Sequence, residues 1–134
     1  MKQYIGTKII HAEPMEKNGR PGYKVIYEPD GYESWSPKDV FEADYRRTDG
    51  LSFGLAIEAV KKGKKIARAG WNGKDQYVEL GHDFQYDTYG DGGKLAYHED
   101  IGSQALVFVG TRGRQVGWLA SQADMLADDW QIVG

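Results

Sequence analysis

Apolar and polar positions change rhythm along the chain, and each change predicts an element. Tyr4-Ile5-Gly6-Thr7-Lys8-Ile9-Ile10 and Tyr23-Lys24-Val25-Ile26-Tyr27 are β-branched and aromatic runs, the second closed by the turn signal Pro29-Asp30-Gly31. They predict two or three short antiparallel strands. Trp35-Ser36-Pro37-Lys38-Asp39 reads as a helix start, with Ser36 as cap, Pro37 in the first turn and Asp39 in the place of a capping-box acid. A helix of about two turns should follow through Val40, Phe41 and Tyr45.

Helical spacing then dominates. Phe53, Ala56, Ile57 and Val60 form one apolar stripe, Lys61 and Lys62 stand at its negative end, and Gly63 stands where a left-handed residue is wanted. Lys65-Ile66-Ala67-Arg68 and Gln76-Tyr77-Val78-Glu79-Leu80 alternate as strands around Asn72-Gly73, a strong hairpin signal. Residues 81–104 are rich in Gly, Asp and Tyr and have little periodicity, which predicts a long loop; within it Gly90-Asp91-Gly92-Gly93-Lys94 reads as a hairpin tip. Ala105 to Val109 is a buried-strand candidate and Thr111 to Arg114 a turn. Ser121-Gln122-Ala123-Asp124 repeats the cap pattern before a short helix through Ala127, and Trp130 to Val133 makes a last strand.

Strands broken by short helices without βαβ alternation indicate an α+β fold: a small antiparallel sheet, two or three short helices and an N-terminal β-rich extension. All four prolines lie within the first 37 residues, which places a boundary near Thr48-Asp49-Gly50 and divides the chain into residues 1–50 and 51–134. Charge does not mark that boundary: 8 basic and 9 acidic groups precede it, and 9 and 11 follow.

At 134 residues the chain can support a core without staples, and with no cysteine it has no disulfide, thiol nucleophile or Cys-based zinc site. No run of 12 uninterrupted apolar residues occurs, and Met1-Lys2-Gln3-Tyr4 opens no signal peptide, so a cytoplasmic protein without a membrane partner is expected. A net charge of −3 argues against general capture of nucleic acid. His11, His82 and His98 lack ligand spacing, and Leu95 stands where a phosphate loop needs Ser or Thr after a strand that the pattern does not predict there. No metal, cofactor or catalytic residue is expected.

Three features point to an anionic, ring-bearing ligand. Lys61, Lys62, Lys64, Lys65, Arg68 and Lys74 put a local charge of +6 between positions 61 and 74, with no acid among them. Most of these lysines fit a solvated helix end, whereas Arg68 sits before the Ala69-Gly70-Trp71 corner, where its planar fork suits a pyrophosphate. Trp71 and Trp118 stand beside glycines at element ends, where each ring is core or is partly exposed for stacking; Trp130 and Trp35 read as core. Ser121, Gln122 and Asp124 sit at a helix start that offers amide donors, although capping alone accounts for Ser121 and Asp124.

The run Ala56-Ile57-Glu58-Ala59-Val60-Lys61-Lys62-Gly63-Lys64-Lys65-Ile66-Ala67-Arg68-Ala69-Gly70-Trp71-Asn72-Gly73-Lys74 and the run Trp118-Leu119-Ala120-Ser121-Gln122-Ala123-Asp124-Met125-Leu126-Ala127-Asp128-Asp129-Trp130 resemble the Thoeris anti-defence type 2 family of phage proteins. The resemblance covers residues 51–134. It implies a small α+β protein that is not an enzyme: a homo-oligomeric sponge, dimer or tetramer, for the cyclic ADP-ribose signals made by bacterial TIR-domain proteins, with cyclic oligonucleotides as a second ligand class in some relatives. Carried over by position, Phe53, Arg68, Trp71, Asn72, Gln122, Asp124 and Met125 surround the ligand, and Trp118 joins them as a candidate stacking ring. Gly117 before Trp118, and Leu119-Ala120 where many relatives carry a proline, depart from the family pattern. Two other classes compete: a phosphodiesterase or glycohydrolase using Asp124 and Asp128, and a structural or interaction module of a phage particle.

Overall fold

The computed structural model describes residues 1–71 and 75–134, with His98 described by its backbone alone. Two units result, Met1–Arg47 and Thr48–Gly134. The fold class is α+β with antiparallel sheets throughout, as the element pattern predicts.

In the first unit, β1 (Ile10–Pro14), β2 (Gly22–Tyr27) and β3 (Tyr32–Pro37) form a meander in that order, followed by α1 (Lys38–Asp44). Asn18 and Gly19, at φ 53° and 76°, make the tight turn between β1 and β2, where Lys17 and Arg20 exchange backbone hydrogen bonds of 2.9 and 3.0 Å. Such a pair supplies the two positive φ angles that a two-residue hairpin needs. Gly31, at φ 73°, turns the chain from β2 into β3 as its sequence signal predicts. Val25 is buried, and the Phe41 ring stacks between Tyr23 and Tyr45 at centroid distances of 4.2 and 4.9 Å.

Three expectations for this unit are corrected. Residues 4–9 are not strand: pairing begins at Ile10, and Tyr4 and Ile5 are almost fully exposed, so β propensity there meets no partner. The helix takes Pro37, not Ser36, at its N-cap and has no side-chain cap, because Ser36 remains in β3 opposite Tyr23. Trp35 is half-buried rather than core, and its indole N–H donates to the Met15 carbonyl at 2.8 Å.

In the second unit, Ser52 caps α2 (Phe53–Lys61) by accepting from the Leu55 amide at 3.3 Å. Ala56, Ala59 and Val60 turn inward, and Gly63 takes the left-handed conformation after the helix, at φ 85°. The sheet runs β7 (Gly113–Val116), β6 (Leu95–Gly110), β5 (Tyr77–Tyr89), β4 (Lys65–Arg68), β8 (Trp130–Val133). Leu51, Ala56, Ala59, Val60, Ile66, Val78 and Trp130 make its core. Each large side chain among them gains roughly 1.5–3 kcal/mol by leaving water. The strands around Asn72-Gly73 do pair, at Ile66 and Val78, while Asn72 and Gly73 themselves lie outside the described residues.

The loop expected over residues 81–104 is overturned. That stretch is the far part of a long hairpin, paired from Gly81 opposite Ala105 to Thr88 opposite Tyr97 with a shift of register between Phe84 and Gln85. From Gln85 to Gln104 every side chain described is exposed, so no buried face imposed the period-two alternation by which strands are read. A 3₁₀ turn, Asp91–Gly93, lies at the tip, as expected for the glycine cluster, although a strand precedes it after all. β7 escaped notice for the same reason: all four of its residues are exposed. Among the described residues, no helix is long and apolar enough to cross a membrane.

Candidate functional site

The site grows from the pairing of β4 with β8, which sets Arg68 opposite Trp130 at the end of the sheet. Behind Trp130 comes Asp129, and before it α3 (Gln122–Leu126). Ser121 and Asp124 form the predicted capping box: the Asp124 amide donates to Ser121 Oγ at 3.1 Å, and the Ser121 amide donates to Asp124 Oδ2 at 3.0 Å.

That box leaves Asp124 Oδ1 free to face the sheet, where it accepts from Arg68 Nη1 at 3.1 Å. Arg68 Nε donates to Asp129 Oδ1 at 2.9 Å. Two carboxylates therefore flank one guanidinium, and its pKa rises, first through the hydrogen bond to Asp129 and then through that to Asp124. Burial pushes the Asp124 carboxyl up, but the Ser121 amide and hydroxyl and the Arg68 guanidinium outweigh it and hold the acid below its ordinary value. One positive and two negative charges leave this triad at −1 when ionised, so Arg68 acts here as the tie between β4 and α3 before it can meet any anion.

Around the triad stands an aromatic cluster built on Trp130, which is fully buried. Trp71 lies 5.4 Å from it, Trp118 6.0 Å and Phe53 5.4 Å between ring centroids, and Phe108 meets Trp71 at 5.6 Å. Most of these meetings are edge-to-face, the arrangement that the ring quadrupoles favour. The Trp130 indole N–H donates to the Asp124 carbonyl at 2.8 Å, which joins the aromatic cluster to the ionic one. Trp71 and Trp118 are both half-buried. Each is partly core, packed against the cluster, and partly available at the surface.

Phe53, Trp71 and Trp118 thus converge on Trp130, and Arg68 converges with Asp124. Gln122 and Met125 share the helix of Asp124 and are exposed. Asn72 lies outside the described residues. Two participants went unread in the sequence as parts of the site. Asp129, not Asp128, is the second carboxylate at Arg68, and Trp130, read as core, is also the hub that carries the other rings. The burial of Trp130 in a strand-like run was legible, but which of two adjacent acids faces Arg68 depends on the β4–β8 register.

A cleft of about 300 Å³ opens beside this cluster, lined among others by Lys65, Arg68, Trp71, Gln76, Tyr77 and Gln131. Its size is at the lower end for small-molecule sites. Lys65 Nζ lies over the Tyr77 ring at 4.7 Å from the centroid, so it brings a cation to this wall. Arg68 and Trp71 belong to both the cleft and the α3 cluster, whereas Phe53, Trp118, Gln122, Asp124 and Met125 do not line the cleft. Among the described residues no group of three or more His, Asp or Glu side chains is placed to hold a metal ion.

Known proteins match the part of the chain that carries this network. The Thoeris anti-defense 2-like domain matches residues 51–133. The "Thoeris anti-defense 2" protein of Bacillus phage SP01 is 35% identical over 85 residues, which cover 62% of this chain and 94% of that protein. Arg68, Trp71, Trp118, Asp124, Asp129 and Trp130 all fall inside the matched stretch. With well over half its length so matched, the chain belongs to the Thoeris anti-defense 2-like family.

Proposed function

We propose that this protein is a phage anti-defence sponge, which binds cyclic ADP-ribose-type immune signals, the glycocyclic ADP-ribose isomers, and withholds them undegraded in the cytoplasm of the infected bacterium. The observation that carries this reading is the clamp of Arg68 by Asp124 and Asp129, which ties the Trp71 corner to the start of α3 within the family-matched domain. Arg68, Asp124 and Asp129 are thereby joined across the domain, and Gln122 stands exposed on the helix of Asp124. Trp71 or Trp118 stacks on the adenine, Gln122 and the carboxylates bond ribose hydroxyls, and Lys65 on the cleft wall meets the pyrophosphate beside the carboxylate-tied Arg68. Stacking on such a ring contributes roughly 1–3 kcal/mol.

Asp124 does not fit the general-acid role that the enzyme reading would give it. A general acid at neutral pH needs a raised pKa, and that of Asp124 is lowered. Depleting a scarce signal calls for a dissociation constant of about 1 nM, or roughly −12 kcal/mol, and hence for near-complete enclosure. Leu119 is 90% exposed, Leu126 79% and Met125 47%, an apolar rim beside Trp118 and α3 that a second subunit covers in a dimer or tetramer.

The test is to incubate the protein with a cyclic ADP-ribose isomer, denature it by heat and analyse what is released. The sponge reading expects the intact cyclic molecule. Recovery of linear or cleaved product would instead favour the phosphodiesterase or glycohydrolase, and absence of binding to a panel of cyclic mononucleotides and oligonucleotides would favour an interaction module.

A further inference from the structure

The hairpin of β5 and β6 runs well beyond the rest of its sheet. β4 pairs with β5 only at Ile66 and Val78, and β7 pairs with β6 only from Val107 to Gly110. Among the described residues, the outer edges from His82 to Tyr89 and from Leu95 to Gln104 therefore meet no further strand. A two-stranded ribbon is marginal in water, and a long open edge invites another strand. This ribbon is also sticky and charged. Tyr86, Tyr89, Leu95, Tyr97 and Ile101 are each more than half exposed. Over residues 82–104, Asp83, Asp87, Asp91, Glu99 and Asp100 against Lys94 alone leave a net charge of −4.

The segment before β1 is complementary to it. Residues 2–9 are β-branched and aromatic in pattern, yet Tyr4 is 91% and Ile5 98% exposed, and no strand pairs with them. Their charged groups are Lys2 and Lys8, and no acid appears before Glu13. Lys8 Nζ rests over the Tyr27 ring at 4.4 Å. The eight residues of the arm match the eight of β5 from His82 to Tyr89.

We propose that the N-terminal arm, residues 2–9, of one copy of this chain adds as a third strand to the acidic β5–β6 ribbon of a second copy. Both copies carry an arm and a ribbon, so each can give a strand and receive one. Backbone hydrogen bonds supply the pairing and opposite charges the register, as in strand addition to an open edge. The arm lies outside the family-matched residues 51–133, so the contact does not depend on the ligand reading.

The native chain has no cysteine, which permits a clean test. Full-length Ile5→Cys protein is mixed with full-length Tyr86→Cys or Glu99→Cys protein, which report the β5 and β6 edges, and mixed disulfides are followed on non-reducing gels. Thiol at the exposed Thr111→Cys position serves as control. Cross-linking to either ribbon position should be several-fold faster than to the control, should slow between about 50 mM and 0.5 M salt, and should fall when the arm carries Lys2→Glu and Lys8→Glu. Pairing that reversed arm with a ribbon carrying Asp83→Lys and Gln85→Lys should restore it. Rates no faster than the control, or indifferent to the arm's charge, would overturn the proposal, whatever the protein does with nucleotides.

Discussion

Arg68 and Asp124 lie 56 positions apart in sequence, and the guanidinium Nη1 of one stands 3.1 Å from the carboxylate Oδ1 of the other. The same aspartate caps α3 through its other oxygen, so one side chain fixes the helix start and the strand end together. What threatens Asp124 should therefore loosen both.

Replacing Asp124 by alanine removes the carboxylate half of the capping box, leaves the Ser121 Oγ cap in place, and removes half of the Arg68 clamp. A loss of about 1–2 kcal/mol in the stability of the second unit is expected. Asp124→Asn keeps the size and part of the cap and should cost less. Urea unfolding followed by tryptophan fluorescence measures both; equal midpoints for wild type and alanine variant would remove Asp124 from its structural role.

Stability should depend on pH through the same carboxyl. Its folded pKa is lowered, so in the acid range the unfolded chain binds the proton more readily and stability rises with pH. The contribution is complete above the unfolded value of about 3.9 and fades as pH falls through the lower folded value. Urea midpoints between about pH 2 and 6 should show this acid-side slope, and Asp124→Asn should flatten it.

Trp71→Phe keeps an apolar ring against Trp130 while reducing the stacking surface. The fold should persist by near-ultraviolet circular dichroism, and affinity for the cyclic ADP-ribose isomer should fall by about tenfold in isothermal titration, a fraction of the roughly 1–3 kcal/mol that base stacking supplies. Undiminished affinity would move the adenine away from Trp71.

Glycines provide a contrast within one chain. A Cβ on Gly22 would clash with both the Trp35 ring and the Ser36 carbonyl oxygen, whereas one on Gly54 in α2 meets nothing within 4 Å. Gly22→Ala should destabilise the first unit by about 1–3 kcal/mol, and Gly54→Ala should stabilise the second by a few tenths to about 1 kcal/mol. Thermal unfolding of the two variants decides this, and a neutral Gly22→Ala would mean that β3 can shift away.

Elements with one buried face were legible in advance. The stripe of Phe53, Ala56, Ile57 and Val60 announced α2, and Ser121 with Asp124 announced the cap of α3, because burial and capping act within a turn of the residues concerned. The far ribbon of β5 and β6 and the whole of β7 were not legible, because strands solvated on both faces have no buried side to impose alternation. The Asn18-Gly19 turn carries the same dipeptide signal as Asn72-Gly73 and takes the two positive φ angles that such a turn needs.

For the candidate site, residue types and local geometry came from the sequence alone: tryptophans beside glycines, an arginine ending a strand, a carboxylate in a capping box. The partners came only with the tertiary structure. Antiparallel pairing of β4 with β8 set Arg68 against Trp130, gave Arg68 to Asp129 rather than Asp128, and made a buried indole the hub of the rings. Local propensity acts over a few residues, whereas which side chain faces which across a sheet follows from register, and register is settled by the packing of the whole unit.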